Sequence, residues 1–270
     1  MMGIMRLLDK LMAVLRRDFF SATRYRAAIF LAISGGILEI VGLYYLSKAI
    51  GPEFRPDGMS SYPFLLVGTG LYTFLLMGIS AFVSAIQDAQ QAGTLEVLMT
   101  SSTPPNVLLL LSASSSFAGK GVSFAVYLLG GLLISGLHLA GSSLLPSCIV
   151  LGLSIVIAVA IGLGAAAVQL AVRKGSAVVW LLGSAVWLLT GAMFPVSALP
   201  RGLQRLAVLL PLTHSLNGMR LALFGTGFSA ALTREMLWLF LYAVTLLPTG
   251  VLVFRAALRG ARQNGALFYC

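Results

Sequence analysis

Residues 150–172 read VLGLSIVIAVAIGLGAAAVQLAV, and this stretch decides the fold class of the chain. Only Ser154 and Gln169 interrupt its apolar character. A helix needs about 20 predominantly apolar residues to cross the hydrocarbon core of a membrane. A barrel strand would instead alternate polar and apolar residues over about ten positions. The stretch therefore predicts a transmembrane helix.

The rest of the chain has the same apolar character. Of its 270 residues, 59% are hydrophobic and 10% are charged, and the mean hydropathy is +0.97. Soluble domains carry about 25% charged residues, so this composition requires lipid as the solvent. We predict an all-α membrane protein with six transmembrane helices, at about 27–47, 63–86, 118–138, 147–172, 176–194 and 236–254.

The basic residues indicate how the chain is oriented. The formal net charge is +10, but Lys and Arg lie at the ends of the apolar runs, which argues against a nucleic-acid partner. With six spans, twelve Lys and Arg fall on one side of the membrane and six on the other. The positive-inside rule then places both termini in the cytoplasm, and we expect the inner membrane as the location. We expect no cleaved signal peptide, so the first span would direct insertion.

Residues 1–26 form a separate element in this prediction, ahead of a single six-span domain over residues 27–270. Their apolar residues recur at spacings of three and four, and basic residues occupy the other faces. This pattern is typical of an amphipathic helix in the membrane interface, and a helix packed on a partner's cytoplasmic surface fits it equally well. The apolar residues are Ile4, Leu7, Leu8, Leu11, Leu15 and Phe19.

Two connections between spans are distinctive. The inner segment, at about residues 87–103, begins polar, becomes a short amphipathic helix and stops at Pro104 and Pro105, which predicts a cytoplasmic docking element. The outer segment, residues 195–235, combines Pro195, Pro200 and Pro211 with several Leu and Val. This composition favours short helices that dip back into the outer leaflet.

Two motifs in these connections carry a resemblance to a known family. The first is G-T-L-E-V-L-x5-P at residues 93–104. The second is G-x2-F-P-x3-L-P at residues 191–200, continued by P-x-T at residues 211–213 and by Arg220. Together with six spans and an amphipathic N-terminus, the motifs resemble the permeases of type-2 ABC exporters, the ABC-2 transporter family, over essentially the whole chain.

The resemblance implies partners and roles. It implies a second permease, either a copy or a homologue, and two cytoplasmic ABC ATPase subunits that bind ATP and Mg. It also implies that the inner segment is a coupling helix seated in the ATPase, and that residues 195–220 form re-entrant helices. The implied ATPase contacts are Gln91, Gly93, Thr94, Leu95, Glu96, Val97 and Leu98. The implied outer gate is formed by Gly191, Phe194, Pro195, Leu199, Pro200, Pro211 and Arg220.

The chain has no recognisable nucleotide site of its own. Residues 119–121, Gly-Lys-Gly, lack the upstream glycine and the following hydroxyl residue of a phosphate-binding loop. The glycines at residues 162–164 lie inside a span, where the row Ala158, Gly162 and Ala166 predicts close packing of another helix. We therefore expect no catalytic residue and no cofactor on this chain, with ATP handled by the partner.

Five residues within or beside the spans are candidates for the translocation path. Glu39 lies near the middle of the first span, where a carboxylate costs about 2.5–3.5 kcal/mol, and it is the only acid that we place clearly within the membrane. It is either a polar contact in the path or at a dimer seam, or a protonated or hydrogen-bonded carboxyl packed between spans. Tyr72, Phe74, Trp187 and Phe194 either line a path for an amphiphile or simply pack.

The leading hypothesis is the permease subunit of an ABC exporter that moves a hydrophobic or amphiphilic substrate out of the cytoplasm or inner leaflet. A drug-like or antibiotic-like small molecule is favoured, and a lipid-linked glycan is second. The alternative is a secondary transporter or channel without an ATPase, which a single intramembrane acid and the absence of a visible repeat disfavour. A membrane enzyme would need a cluster of reactive groups at one depth. His138 and His214 are too far apart and too poorly supported to suggest a metal site.

Overall fold

The fold is described by a computed structural model over residues 26–91, 105–136, 143–172, 175–225 and 228–263. In these ranges the secondary structure is helical, with no β-strand. The α-helices are α1 (Arg26–Ile50), α2 (Ser61–Gln91), α3 (Pro105–Ser135), α4 (Leu144–Val172), α5 (Gly175–Leu189), α6 (Arg201–Val208), α7 (Pro211–Phe224) and α8 (Ala230–Gln263).

The prediction of an all-helical membrane protein is confirmed. Within the described ranges, four helical stretches are long and apolar enough to cross a membrane, and the bent pair α6 and α7 would make a fifth. The third and fifth predicted spans correspond to shorter apolar stretches, Gly119–Ser135 and Val179–Leu189. The count of six spans stays a prediction. The four long stretches are Ile33–Ile50, Ser61–Gln91, Leu144–Ala171 and Ala230–Ala261.

The helices that flank the inner segment are longer than the predicted spans. Helix α2 continues to Gln91, past the predicted end at residue 86, because the polar residues that follow still favour a helix. Helix α3 begins at Pro105, where proline is well tolerated as the first helical residue. The first residues of the inner segment thus extend α2. Residues 92–104, with most of the predicted ATPase contacts, lie outside the described residues, as do residues 1–25 of the predicted interface helix.

The core forms where α4 lies between α2 and α8. A methyl group built at Gly162 would lie 2.4 Å from a ring carbon of Phe82 on α2. A methyl group built at Gly250 on α8 would lie 2.5 Å from the carbonyl oxygen of Ala160. Small residues allow such close approach between helices that have no water to expel. The small-residue row of α4 therefore lies in a helix-packing interface, as the sequence predicts.

Helix α1 lies at the edge of the bundle. Ile40 and Leu43 pack against α2, and Tyr62 donates a hydrogen bond to the carbonyl oxygen of Gly131 on α3 (3.0 Å). Much of the remaining surface of α1 is apolar and uncovered, and the side chain of Leu38 is 74% exposed. This face is available to lipid or to another protein.

Candidate functional site

A cavity of about 640 Å³ opens between α2 and α5. Its volume lies in the range of small-molecule sites, about 300–1,000 Å³. Its walls are largely aliphatic and aromatic, with hydroxyl groups as the polar side chains and no charged residue among those that line it. We call it the α2–α5 cavity. It is lined by Tyr72, Leu76, Met77, Ser80, Val83, Ser84, Val179, Trp180, Gly183, Ser184, Trp187 and Leu188.

The α2 wall follows from helical periodicity. Tyr72, Leu76, Ser80 and Ser84 recur every four residues, so they lie on one face of α2. The hydroxyl of Ser80 donates to the carbonyl oxygen of Met77 within its own helix (2.9 Å). Its oxygen lone pairs remain able to accept a hydrogen bond, so the wall offers weak polar contacts on an apolar surface.

The α5 wall approaches α2 at a glycine. The hydroxyl of Tyr72 donates to the carbonyl oxygen of Gly183. A methyl group built at Gly183 would lie 3.0 Å from a terminal carbon of Leu76, so the two helices are closely packed at this glycine. Trp180 lies at the open edge of the cavity and is 73% exposed, whereas Trp187 is partly buried. The two walls therefore meet at the Tyr72–Gly183 hydrogen bond, and an exposed indole ring lies in the cavity wall.

The predicted path residues do not all meet at this cavity. Tyr72 and Trp187 line it. Phe74 points into the core, where its ring stacks on Phe124 with centroids 5.5 Å apart. Phe194 is partly buried in the turn region after α5 and is absent from the cavity wall. The structure thus separates one packing aromatic from two aromatics that line a cavity.

Glu39 lies outside the cavity, on an exposed part of α1. Its carboxylate accepts a long hydrogen bond from the hydroxyl of Tyr127 on α3 (3.5 Å). That hydroxyl also lies 3.0 Å from the hydroxyl oxygen of Thr69 on α2. A short polar chain therefore runs from the edge of α1 into the bundle, and Glu39 is its outermost member.

The prolines of the outer segment each begin a helical turn. Pro195 precedes a short 3₁₀ turn at Val196–Ala198, Pro200 is the N-cap of α6, and Pro211 is the first residue of α7. Their fixed φ angle suits these positions. Gly191, in the turn after α5, has φ +76°, a conformation that favours glycine. The axes of α6 and α7 differ by 82°. That these helices re-enter a membrane stays a prediction.

Arg220 of α7 is a buried tether. Its Nη2 donates to the carbonyl oxygens of Gly191 (2.9 Å), Ala192 (3.1 Å) and Phe64 (3.1 Å), and its guanidinium lies over the Phe64 ring at 3.5 Å. A methyl group built at Gly68 would lie 2.4 Å from the same nitrogen. One side chain therefore joins α7, α2 and the turn that follows α5.

Leu199, a predicted gate residue, and Thr213, a residue of the second motif, make further hydrogen bonds in the same region. The carbonyl oxygen of Leu199 accepts a hydrogen bond from the amide of Gln204 on α6 (2.7 Å). The hydroxyl of Thr213 on α7 donates to the carbonyl oxygen of Ala207 on α6 (2.7 Å). These contacts fasten each short helix to its neighbour, so the proline-rich region is ordered by its own polar groups.

A buried His214–Glu235 contact was missed by reasoning from the sequence. His214 Nδ1 lies 2.5 Å from a carboxylate oxygen of Glu235, and the side chains are 8% and 9% exposed. The inference that Glu39 is the only clear intramembrane acid stays a prediction, although α8 begins before the predicted span and Glu235 lies within Ala230–Ala261, a stretch long and apolar enough to cross a membrane. The spacing of Glu235, Trp238 and Tyr242 on one helical face was the available signal.

Comparison with known families gives a match that covers most of the chain. The family described as ABC-2 type transporter matches residues 9–224. No curated protein matches the chain. The matched range contains both sequence motifs, both walls of the α2–α5 cavity and the two short helices of the outer segment.

Proposed function

The chain belongs to the ABC-2 type transporter family as a membrane permease, and on this premise we propose that it exports a small hydrophobic or amphiphilic molecule, driven by ATP hydrolysis on a partner. The chain is a multi-pass membrane protein. Its proposed setting is the inner membrane, with both termini in the cytoplasm. Two ABC ATPase subunits and a second permease would complete the transporter.

The observation that carries the proposed substrate class is the lining of the α2–α5 cavity. An apolar ligand gains about 25 cal/mol for each Å² of surface removed from water, and such walls supply that burial. Two tryptophans and Tyr72 offer flat surfaces for an aromatic ligand, and serine hydroxyls offer isolated polar contacts. A lipid-linked glycan would need many hydrogen-bonding groups, and this lining favours a drug-like molecule over it.

The length of α2 supports a route for coupling. Helix α2 forms one cavity wall and continues to Gln91, the first of the proposed ATPase contacts, which go on at residues 93–98. A helix of 31 residues is about 46 Å long at 1.5 Å for each residue. Movement of the inner segment by the ATPase would therefore be carried along α2 to the cavity. In this proposal, Leu95 and Leu98 provide apolar contact and Glu96 a polar anchor.

The proposal is tested by co-expressing the full chain with its ATPase and measuring complex formation and ATP-driven transport. Leu95→Ala and Glu96→Ala should each uncouple transport at equal expression, while Glu53→Ala, at an exposed acid after α1, should behave as wild type. Retention of full assembly and full transport by both inner-segment variants would contradict the coupling assignment. Transport that persists without ATP would favour the secondary transporter.

The cavity assignment has its own test. Ser84 lines the α2–α5 cavity, whereas Ser123 is an exposed serine on α3 that does not. Ser84→Trp should fill the cavity and lower ATP-dependent uptake of the dye Nile red into inverted vesicles, and Ser123→Trp is the matched control. Equal uptake by both variants would place the substrate route elsewhere.

A further inference from the structure

One imidazole ring joins three helices at the start of α8. His214 belongs to α7, its Nδ1 lies 2.5 Å from Glu235 of α8, and its Nε2 lies 2.9 Å from the carbonyl oxygen of Val208, the last residue of α6. Trp238 and Tyr242 of α8 cover the ring, with centroids 5.7 Å and 5.8 Å away. The ring therefore contributes to the attachment of α6 and α7 to α8, and this contribution depends on the hydrogens that the ring carries.

The directions of the two hydrogen bonds determine how many protons the site holds. A carbonyl oxygen can only accept, so Nε2 must carry a hydrogen to bond Val208. If that is the ring's only hydrogen, Nδ1 presents a lone pair to Glu235, and an ionised carboxylate presents another. One further proton is needed between them, on the ring or on the carboxyl group. Both hydrogen bonds of the ring therefore form only when the pair carries one proton more than a neutral imidazole and an ionised carboxylate carry together.

We propose that His214 and Glu235 share this proton and form a latch that fastens the α6–α7 pair to α8. When the proton leaves, two lone pairs face each other in a buried site, and the ring loses one of its contacts. The attachment is then weakened, so the latch holds at low pH and loosens as pH rises. Its role as a control on the outer gate rests on the proposed function, whereas the latch itself does not.

In the described region, the groups around the His214–Glu235 pair do not account for this pH dependence, so the pair itself is its source. Arg234 Nη2 lies 3.9 Å from the other carboxylate oxygen of Glu235, but Arg234 is 73% exposed, so solvent screens its charge. Tyr242 donates to the carbonyl oxygen of Leu209 (3.0 Å). Helix α4 contains no Asp, Glu, Lys, Arg or His. Two other helices pack on α7. The ionisable residues of α2 are Tyr62, Tyr72 and the distant Asp88. Those of α6 are the exposed Arg201 and Arg205.

Glu235→Gln is the decisive variant. The amide of glutamine donates to a neutral imidazole and its oxygen accepts from an imidazolium, so the contact survives in either protonation state. This variant should keep α6 and α7 attached and remove the dependence on pH. His214→Asn should weaken the attachment at every pH, because an amide cannot reach both Val208 and Glu235 as the ring does.

The experiment is hydrogen–deuterium exchange on the full chain in lipid nanodiscs, without ATPase or substrate, from about pH 6 to about pH 9. After correction for intrinsic exchange rates, protection of residues 201–224 in the wild type should fall about tenfold across this range, while α4 serves as the internal reference. Glu235→Gln should show no such fall, and Glu53→Gln should retain it. Wild-type protection that does not change with pH would overturn the proposal without any variant, as would an unchanged fall in Glu235→Gln. Because transport is not measured, failure of the proposed function would leave this result standing.

Discussion

At the scale of single residues, replacing Arg220 tests how much this side chain stabilises the turn after α5. Arg220→Met removes three hydrogen bonds to buried carbonyl oxygens and the contact with Phe64. We expect a loss of at least about 2 kcal/mol in the free energy of unfolding, because even one hydrogen bond to a charged group contributes about 1.5–3 kcal/mol and the buried carbonyls lose their partner. Unfolding by a denaturing detergent in mixed micelles would measure it.

The control for Arg220 is Arg201→Met. Arg201 is exposed on α6, so its replacement should change stability by less than about 0.5 kcal/mol. Arg220→Lys should recover only part of the loss, since an ammonium group lacks the planar face that lies on Phe64. Equal stability of the two Met variants would show that the buried contacts of Arg220 contribute nothing.

Glu39 tests whether the polar chain at the edge of α1 needs a charge. Gln at this position keeps an oxygen that accepts from the Tyr127 hydroxyl, whereas Lys places a cation at membrane depth at a cost of about 2.5–3.5 kcal/mol. We expect Glu39→Lys to reduce the amount of inserted, folded protein several-fold and Glu39→Gln to leave it near wild type. Quantitative immunoblotting of membrane fractions would measure both.

Two outcomes for Glu39 would revise this interpretation. Equal tolerance of Gln and Lys would place the side chain in water or among lipid headgroups. Normal insertion combined with loss of transport in Glu39→Gln would instead indicate an obligatory carboxylate in the path. Glu53→Lys, in the loop after α1, is the control for an added cation.

At the scale of helices, stability depends on the close approaches of α4. A methyl group at Gly250 meets the backbone of Ala160, which cannot rotate away, so α8 and α4 must separate. We expect Gly250→Ala to lower the free energy of unfolding by about 1–3 kcal/mol, as other forms of overpacking do. Thermal unfolding in one detergent would measure it.

Gly164→Ala provides the matched comparison for Gly250→Ala. A methyl group at Gly164 has nothing within 4 Å, and alanine is favoured over glycine in a helix by about 1 kcal/mol. This variant should be neutral or more stable than wild type. A similar loss in both variants would mean that the α4–α8 interface tolerates expansion.

At the scale of the whole molecule, we propose that the substrate route is completed at the interface between two permeases. The α2–α5 cavity has an open side, where the side chains of Met77 and Trp180 are 42% and 73% exposed. With Cys148 and Cys270 replaced, Met77→Cys and Trp180→Cys should crosslink between copies. The yield should change when ATP is trapped on the partner, because closure of the ATPases shifts the paired spans.

Leu237→Cys is the control for crosslinking, since this exposed residue of α8 is expected to face lipid. Crosslinks from Met77→Cys and Trp180→Cys that are no more frequent than from Leu237→Cys would contradict the proposed interface. Transport by a proven monomer would contradict it as well. Neither result would alter the helical fold.

The sequence by itself determined the helices and the family. Every backbone polar group in a membrane must be satisfied within its own helix, so the long apolar stretches predict where the helices lie without knowledge of their neighbours. Prolines and motifs are equally local, which is why Pro195, Pro200 and Pro211 correctly indicate short helices after α5. The number of spans does not follow from the same features, because α5, the helix at the fifth predicted span, has only 15 residues.

Only the tertiary structure decided which side chains meet. Helix α4 is apolar on nearly every face, so its periodicity does not specify which face contacts α2 and which contacts α8. Tyr72 and Phe74 are two residues apart on one helix, yet one lines a cavity and the other packs in the core. His214 and Glu235 are brought together by the packing of α7 on α8. These outcomes depend on helix rotation and crossing, which side-chain packing sets across many residues distant in sequence.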